Sequence, residues 1–139
     1  MTLAPIAVKS GSTVPLAWMP PTDASASRIE IKLDISHHGG KKGEITCDVP
    51  DTGSFALPEP LVSKLVALGV AAQPTIGLKR VASAQASGQP GVRLVIVSPV
   101  ERAVDTGFAS CVDGQACPDG TTCVMGGSFA PNFGCGVAC

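Results

Sequence analysis

The sequence predicts an all-β protein, two antiparallel sheets packed as a sandwich, with one short crossover helix and a cross-linked C-terminal tail. Three observations carry that expectation. Val outnumbers Leu by 15 to 9, and Gly and Pro total 28 residues, about 20 % of the chain against a usual ~12 %; turn formers at that density disfavour a helical bundle. The stretch Arg28-Ile-Glu-Ile-Lys-Leu-Asp-Ile35 alternates polar and apolar residues without a fault, the period of a strand with one wet face. Five of the six Cys fall in the last 29 residues, beside six Gly and no basic residue. Leu, Ile, Val and Phe make up 35 of 139 residues, about 25 %, above the rough 20 % below which chains stay disordered, so a core can form.

The elements follow in order. Val14, Leu16 and Trp18 alternate, and Pro15 places that strand at an edge or a strand start. Residues 28–35 and 44–49 read as a hairpin around the polar, Gly-rich loop His37-His-Gly-Gly-Lys-Lys-Gly43; Ile45, Cys47 and Val49 share a face. Pro58 to Leu68 carries Leu61, Leu65 and Leu68 at i, i+4 and i+7, with Pro60 in the first turn, Glu59 at the positive end and Gly69 at the stop, so a helix is expected over about 59–68. It is too short to stand alone and is expected to cross between the sheets and cap the core. Thr75–Ala82 and Val92–Val97 form a second, longer hairpin around residues 83–91, and the almost continuously apolar Val92–Val97 is expected to be a central strand. Turn signals every ~8–12 residues favour the sandwich over a partly open barrel.

Composition divides the chain near residue 105. Residues 1–104 hold all 10 basic and 8 of the 11 acidic residues, whereas 105–139 hold only Asp105, Asp113 and Asp119. The expected organisation is a sandwich domain over 1–104 and a disulfide-rich tail over 105–139, packed on the sandwich or on a neighbouring subunit. A tail with so few apolar residues needs cross-links, each contributing about 2–4 kcal/mol. Cys47, Cys111, Cys117, Cys123, Cys135 and Cys139 are even in number and show no C-x2-C pair, the spacing zinc would ask for, so disulfides are the expectation. Of the 15 connectivities six Cys allow, Cys111–Cys123, Cys117–Cys135 and Cys47–Cys139 are preferred. Disulfides belong to an oxidising compartment. Since residues 1–9 have no secretory signal pattern, a removed or truncated leader and an extracellular or cell-surface home are expected. The longest strongly apolar run, Leu65–Ala72, is far shorter than the ~20 residues of a membrane span.

Net charge is −1, with only 15 % charged residues and no basic stripe, which argues against nucleic acid. One Trp, four Phe and no Tyr leave little for stacking on bases or sugars. Asp-Thr-Gly occurs twice, at Asp51–Gly53 and Asp105–Gly107. Aspartic peptidases use that tripeptide to bring two carboxylates onto one water. The copies here lie too close for two lobes, and Pro50 disrupts the strand that would lead into the first, so turn chemistry is the favoured reading. His37 and His38 could ligate a metal with Asp34 or Asp48, but a solvated hairpin tip is favoured; Lys41 and Lys42 add a local cationic patch. Asp113-Gly114 and Asp119-Gly120 could offer oxygens to calcium, yet the spacing of a 12-residue calcium loop is missing. Ser54, Ser63, Ser98 and Ser110 lie in no G-x-S-x-G, and no nucleotide-cradling Gly motif occurs. No cofactor is expected.

Val14-Pro-Leu-Ala-Trp18, Arg28-Ile-Glu-Ile-Lys-Leu33 and Ile45-Thr-Cys-Asp-Val-Pro-Asp-Thr-Gly-Ser-Phe-Ala-Leu-Pro58 resemble the uncharacterised immunoglobulin-like sandwich modules of bacterial exported and lipid-anchored surface proteins. Cys117-Pro-Asp-Gly-Thr-Thr-Cys123 is similar to Cys-rich tails of secreted bacterial proteins. The resemblance spans roughly residues 12–97 and, separately, the tail. It implies an immunoglobulin-like fold and an exported, non-catalytic module, and transfers no functional residue; the N-terminus shows no lipid-attachment Cys. The expected function is a structural or adhesive extracellular module whose partners are other subunits or surface components. A mean hydropathy of +0.32 with so little charge points to an apolar surface and assembly into an oligomer or fibre. The alternatives are a ligand-binding module for polysaccharide or calcium and, remotely, an aspartic peptidase using Asp51 and Asp105.

Overall fold

The computed structural model describes residues 4–36, 42–69 and 74–107, together with the backbone of residues 122–126 and 132–136. At its centre lies β3 (Ser27–Asp34), where the fault-free alternation becomes geometry. Ile29, Ile31 and Leu33 are buried on one face while Arg28, Glu30 and Lys32 stand in solvent. Two antiparallel neighbours flank it, β4 (Glu44–Pro50) and β6 (Thr75–Gln85), with Ile31 opposite Cys47 on one side and Leu78 on the other. β7 (Arg93–Asp105) continues the sheet antiparallel to β6, and β1 (Ile6–Ala7) adds at its end, giving the order β1-β7-β6-β3-β4.

The chain is mostly β, but its main sheet is mixed. β1 runs parallel to β7, pairing Ile6 with Val104 and Ala7 with Asp105. This corrects the purely antiparallel expectation. A strand of two residues behind Pro5 has too little periodicity to announce itself, and its direction is set by where the chain must go next.

That next element is β2 (Val14–Ala17), which pairs antiparallel with β5 (Ser54–Leu57) in a separate two-stranded sheet. Val14 and Leu16 of β2, Leu57 of β5 and Val62 and Leu65 of the helix join Ile29, Ile31, Leu33, Ile45, Val49 and Ile76 in one buried cluster. The helix, α1 (Glu59–Val66), lies between the two-stranded sheet and β6 in the chain, and Gly69 follows its last turn at φ 75°. Its inward face is Val62 and Leu65, whereas Leu61 and Leu68 are exposed. The expected Leu61–Leu65–Leu68 stripe is therefore rotated, and the helix is two residues shorter than 59–68.

The β6–β7 hairpin is longer than expected. Its ladder runs from Thr75 opposite Ala103 to Gln85 opposite Arg93, through Lys79 opposite Pro99. Pro99 is tolerated because its missing N–H belongs to the side of β7 away from β6. Three bonds fix that parity: Ala86 N–H donates to the Val92 carbonyl, Val104 N–H donates to Pro74, and Val8 N–H donates to Asp105. Even-numbered residues of β7 thus face β6 and odd-numbered ones face the other edge. β8 (Thr122–Gly126) and β9 (Asn132–Gly136) form a third, antiparallel sheet in which Cys123 is the register partner of Cys135. Among the described residues no helix is long and apolar enough to cross a membrane.

Candidate functional site

Two places carry polar or apolar groups that need an account. The first is where the loop after β4 meets the core. Asp51 is 0 % exposed, and both its oxygens are taken. Trp18 Nε1 donates to Oδ1 at 2.7 Å, and Ser27 Oγ donates to Oδ2 at 2.6 Å. Arg80 donates from Nε to Oδ2 at 2.6 Å and from Nη2 to Oδ1 at 3.1 Å. The Arg80 guanidinium holds the Asp51 carboxyl below the usual carboxylate range, against burial and with help from Ser27 and Trp18. Arg80 also donates to the Met19 carbonyl, so one side chain ties β6, the end of β2 and the post-β4 turn together.

This is a structural anion, not a water-activating one. No lone pair of Asp51 faces solvent, and Asp105 is exposed and spends Oδ1 on the Gly107 N–H. Both Asp-Thr-Gly segments are turns whose Gly takes positive φ, 99° at Gly53 and 72° at Gly107. At Gly53 the requirement is doubled, because a Cβ would meet Pro20 and the Trp18 carbonyl at 3.2–3.3 Å. The peptidase expectation thereby loses its first carboxylate. Trp18 packs, half-buried, against the core with its ring N–H on Asp51.

Other expected residues are dispersed. His37, His38 and Lys41 lie outside the described residues, as do Cys111, Cys117, Cys139, Asp113 and Asp119. Asp34 accepts from the Ser36 N–H and hydroxyl, and Asp48 pairs with Arg28 at 2.6 Å. Among the described residues no three His, Cys, Asp or Glu side chains are grouped to hold a metal. Cys47 is half-buried on the core side of β4, carries a free thiol, and burial pushes that thiol up. A shallow trough of about 660 Å³ crosses the outer face of the sheet above Gly77, between Glu30, Lys32, Lys79 and Glu101. Among the described residues no aromatic side chain lines it.

The second place is the β6–β7 hairpin beyond β3. β3 pairs with β6 only between Asp34–Thr75 and Ser27–Ala82, so Ser83–Gln85 and the facing part of β7 extend past the sheet as a two-stranded arm. Val92, Leu94, Val95, Ile96, Val97 and Val100 are 46–70 % exposed, Ile96 most of all. This reverses the expectation of a central strand. The run is apolar on both faces, yet the two-stranded sheet and α1 do not extend over it. Its other edge is open as well: among the described residues β7 pairs on that side only with β1, at Val104 and Asp105. Odd-numbered backbone groups from Arg93 to Glu101 thus face outward. Near its base the arm adjoins a groove of about 330 Å³ lined by Leu16, Trp18, Leu78 and Val100.

Arg80 was not singled out from the sequence, although a signal existed. It shares parity with Ile76 and Leu78 on the core face of β6, and a charge at such a position requires a buried counter-charge. No protein-family model matches this chain, nor does any curated protein or solved structure at a significant level.

Proposed function

We propose that this protein is a non-catalytic extracellular structural module that self-associates through the β6–β7 arm. On this reading the mixed sheet, the two-stranded sheet and α1 make an immunoglobulin-like sandwich, and the Cys-rich tail is its disulfide-held appendage. The observation that carries the reading is the exposure of Leu94, Val95, Ile96, Val97 and Val100 on a strand whose outer edge, among the described residues, pairs only at Val104 and Asp105. An exposed, apolar, unpaired strand edge is a template for another strand, and proteins that stay monomeric blunt such edges with charge. Between Arg93 and Glu101 this strand carries no charge; Pro99 is its only blunting residue. The extracellular setting is supported by the crowding of five Cys into the last 29 residues with no C-x2-C pair, the pattern of a disulfide framework.

Light scattering over a wide concentration range tests it. The expected result is a particle mass that rises above the 14.0 kDa of one chain as concentration increases. A mass fixed at one chain throughout overturns the proposal.

A further inference from the structure

Resting on that reading, we infer that the partner is a second copy of this chain, paired β7 to β7 antiparallel about a two-fold axis at Val97. The charges select this arrangement. Arg93 and Glu101 bracket the apolar run, each four residues from Val97, and both are exposed on the same, outer face of β7. Pairing about Val97 sets each Arg93 opposite the partner's Glu101, twice over, with no like charges facing. Leu94 then stands opposite the partner's Val100, and Ile96 opposite the partner's Ser98. Sliding the partner by two residues in one direction sets Arg93 against Pro99; in the other direction Arg93 meets Ala103 and Glu101 meets Val95. Either slip leaves both charges facing uncharged residues. A slip of one residue sets core-side positions against outer ones.

The backbone agrees with the charges. Odd-numbered residues of β7 present their N–H and C=O groups to the open edge, as the bonds at Val92, Val104 and Asp105 require. Val97 exchanges both bonds with its own copy on the axis, and each Arg93 exchanges both with the partner's Glu101. Val95 donates to the partner's Pro99 carbonyl; only the return bond is missing, because Pro99 has no N–H. The main sheets of the two copies become one continuous sheet. Such an interface uses the same patch on both copies, so it closes on itself and makes a dimer, not a fibre.

Charge reversal tests the register. Arg93→Glu and Glu101→Arg each place like charges opposite one another at both ends of the strand pair, and each is expected to weaken the dimer about tenfold or more at low salt. The double variant, and an equimolar mixture of the two single variants, restore association to the wild-type level, since every position 93 then faces a position 101 of opposite charge. Both sites are exposed, and circular dichroism checks that the variants keep the wild-type fold. Arg93→Gln and Glu101→Gln give a second series, expected to weaken the dimer less and, on mixing, to recover only in part, because the mixed dimer regains one of its two Arg93–Glu101 pairs. If the single reversals associate as tightly as wild type, or the mixture shows no rescue, the register is wrong while self-association stands. A wild-type protein that is monomeric at every concentration removes both proposals.

Discussion

Arg80 and Asp51, 29 positions apart in the chain, meet through two bonds of 2.6 and 3.1 Å, and the carboxylate they enclose has no exposed surface. The pair is asymmetric, because the Arg80 side chain keeps 35 % of its surface in solvent. Removing the cation therefore costs more than neutralising the anion. Arg80→Met leaves a buried, uncompensated carboxylate and is expected to destabilise the fold by about 3–5 kcal/mol. Asp51→Asn leaves a guanidinium that water and the Met19 carbonyl still satisfy, at about 1–3 kcal/mol. Urea unfolding of the two variants checks the order; equal losses would mean that Arg80 is no better solvated than Asp51.

The same carboxylate sets the response to acid. Asp51 is held below the ordinary range, first by Arg80, and so is Asp34, where the Ser36 and Lys32 contacts outweigh burial. A carboxyl depressed in the folded state stabilises fully above its unfolded value of about 3.9, and that stability disappears as pH falls through the folded value. Unfolding free energy is thus expected to be flat from pH 7 to about 5 with respect to these groups and to fall below that. Asp51→Asn makes the acid limb shallower, which thermal melts from pH 7 to 2 would reveal.

The tail makes a separate, covalent prediction. Cys123 and Cys135 are facing positions in the β8–β9 ladder. The Cα atoms of facing residues lie about 4.5–5.5 Å apart, inside the span a disulfide bridges. Peptide mapping without reduction is expected to return a Cys123–Cys135 link in place of Cys111–Cys123 and Cys117–Cys135, which were preferred from spacing alone. Recovery of the spacing-derived pairs would refute the register.

How much was legible depended on how far each element's environment is written in its own residues. Arg28–Ile35 was legible in full, because Ile29, Ile31 and Leu33 against Arg28, Glu30 and Lys32 state which face is wet. α1 was legible as an element but not in its rotation, because Leu61, Val62, Leu65 and Leu68 offer two overlapping apolar stripes and tertiary packing chose Val62 with Leu65. Val92–Val97 was misread for a physical reason. A run apolar on both faces is what a strand buried between layers needs, and it is equally what an associating strand needs. Only the reach of the covering layer separates the two, and that is a property of β2, β5 and α1. Of the Asp51–Arg80 clasp only one half is legible: parity with Ile76 and Leu78 marks Arg80 as a charge on the core face, but nothing local names Asp51 as its partner.

That distinction gives opposite expectations for two isoleucines. Ile31 is 1 % exposed at the centre of the main sheet, between Cys47 and Leu78. Ile31→Ala removes buried methyl groups and leaves a cavity, at about 2–5 kcal/mol, with little direct effect on association of whatever remains folded. Ile96 faces Ala82 on the arm, and its side chain is mostly in water already. Ile96→Lys is expected to change monomer stability by no more than about 0.5 kcal/mol. In the dimer it places two like charges beside the two-fold axis, where position 96 of one copy is only two residues from its counterpart. Melting temperature and scattering mass measured on both variants should therefore separate: Ile31→Ala lowers the first and Ile96→Lys lowers the second. An Ile96→Lys protein that melts many degrees early would place Ile96 in a core that the exposed arm does not have.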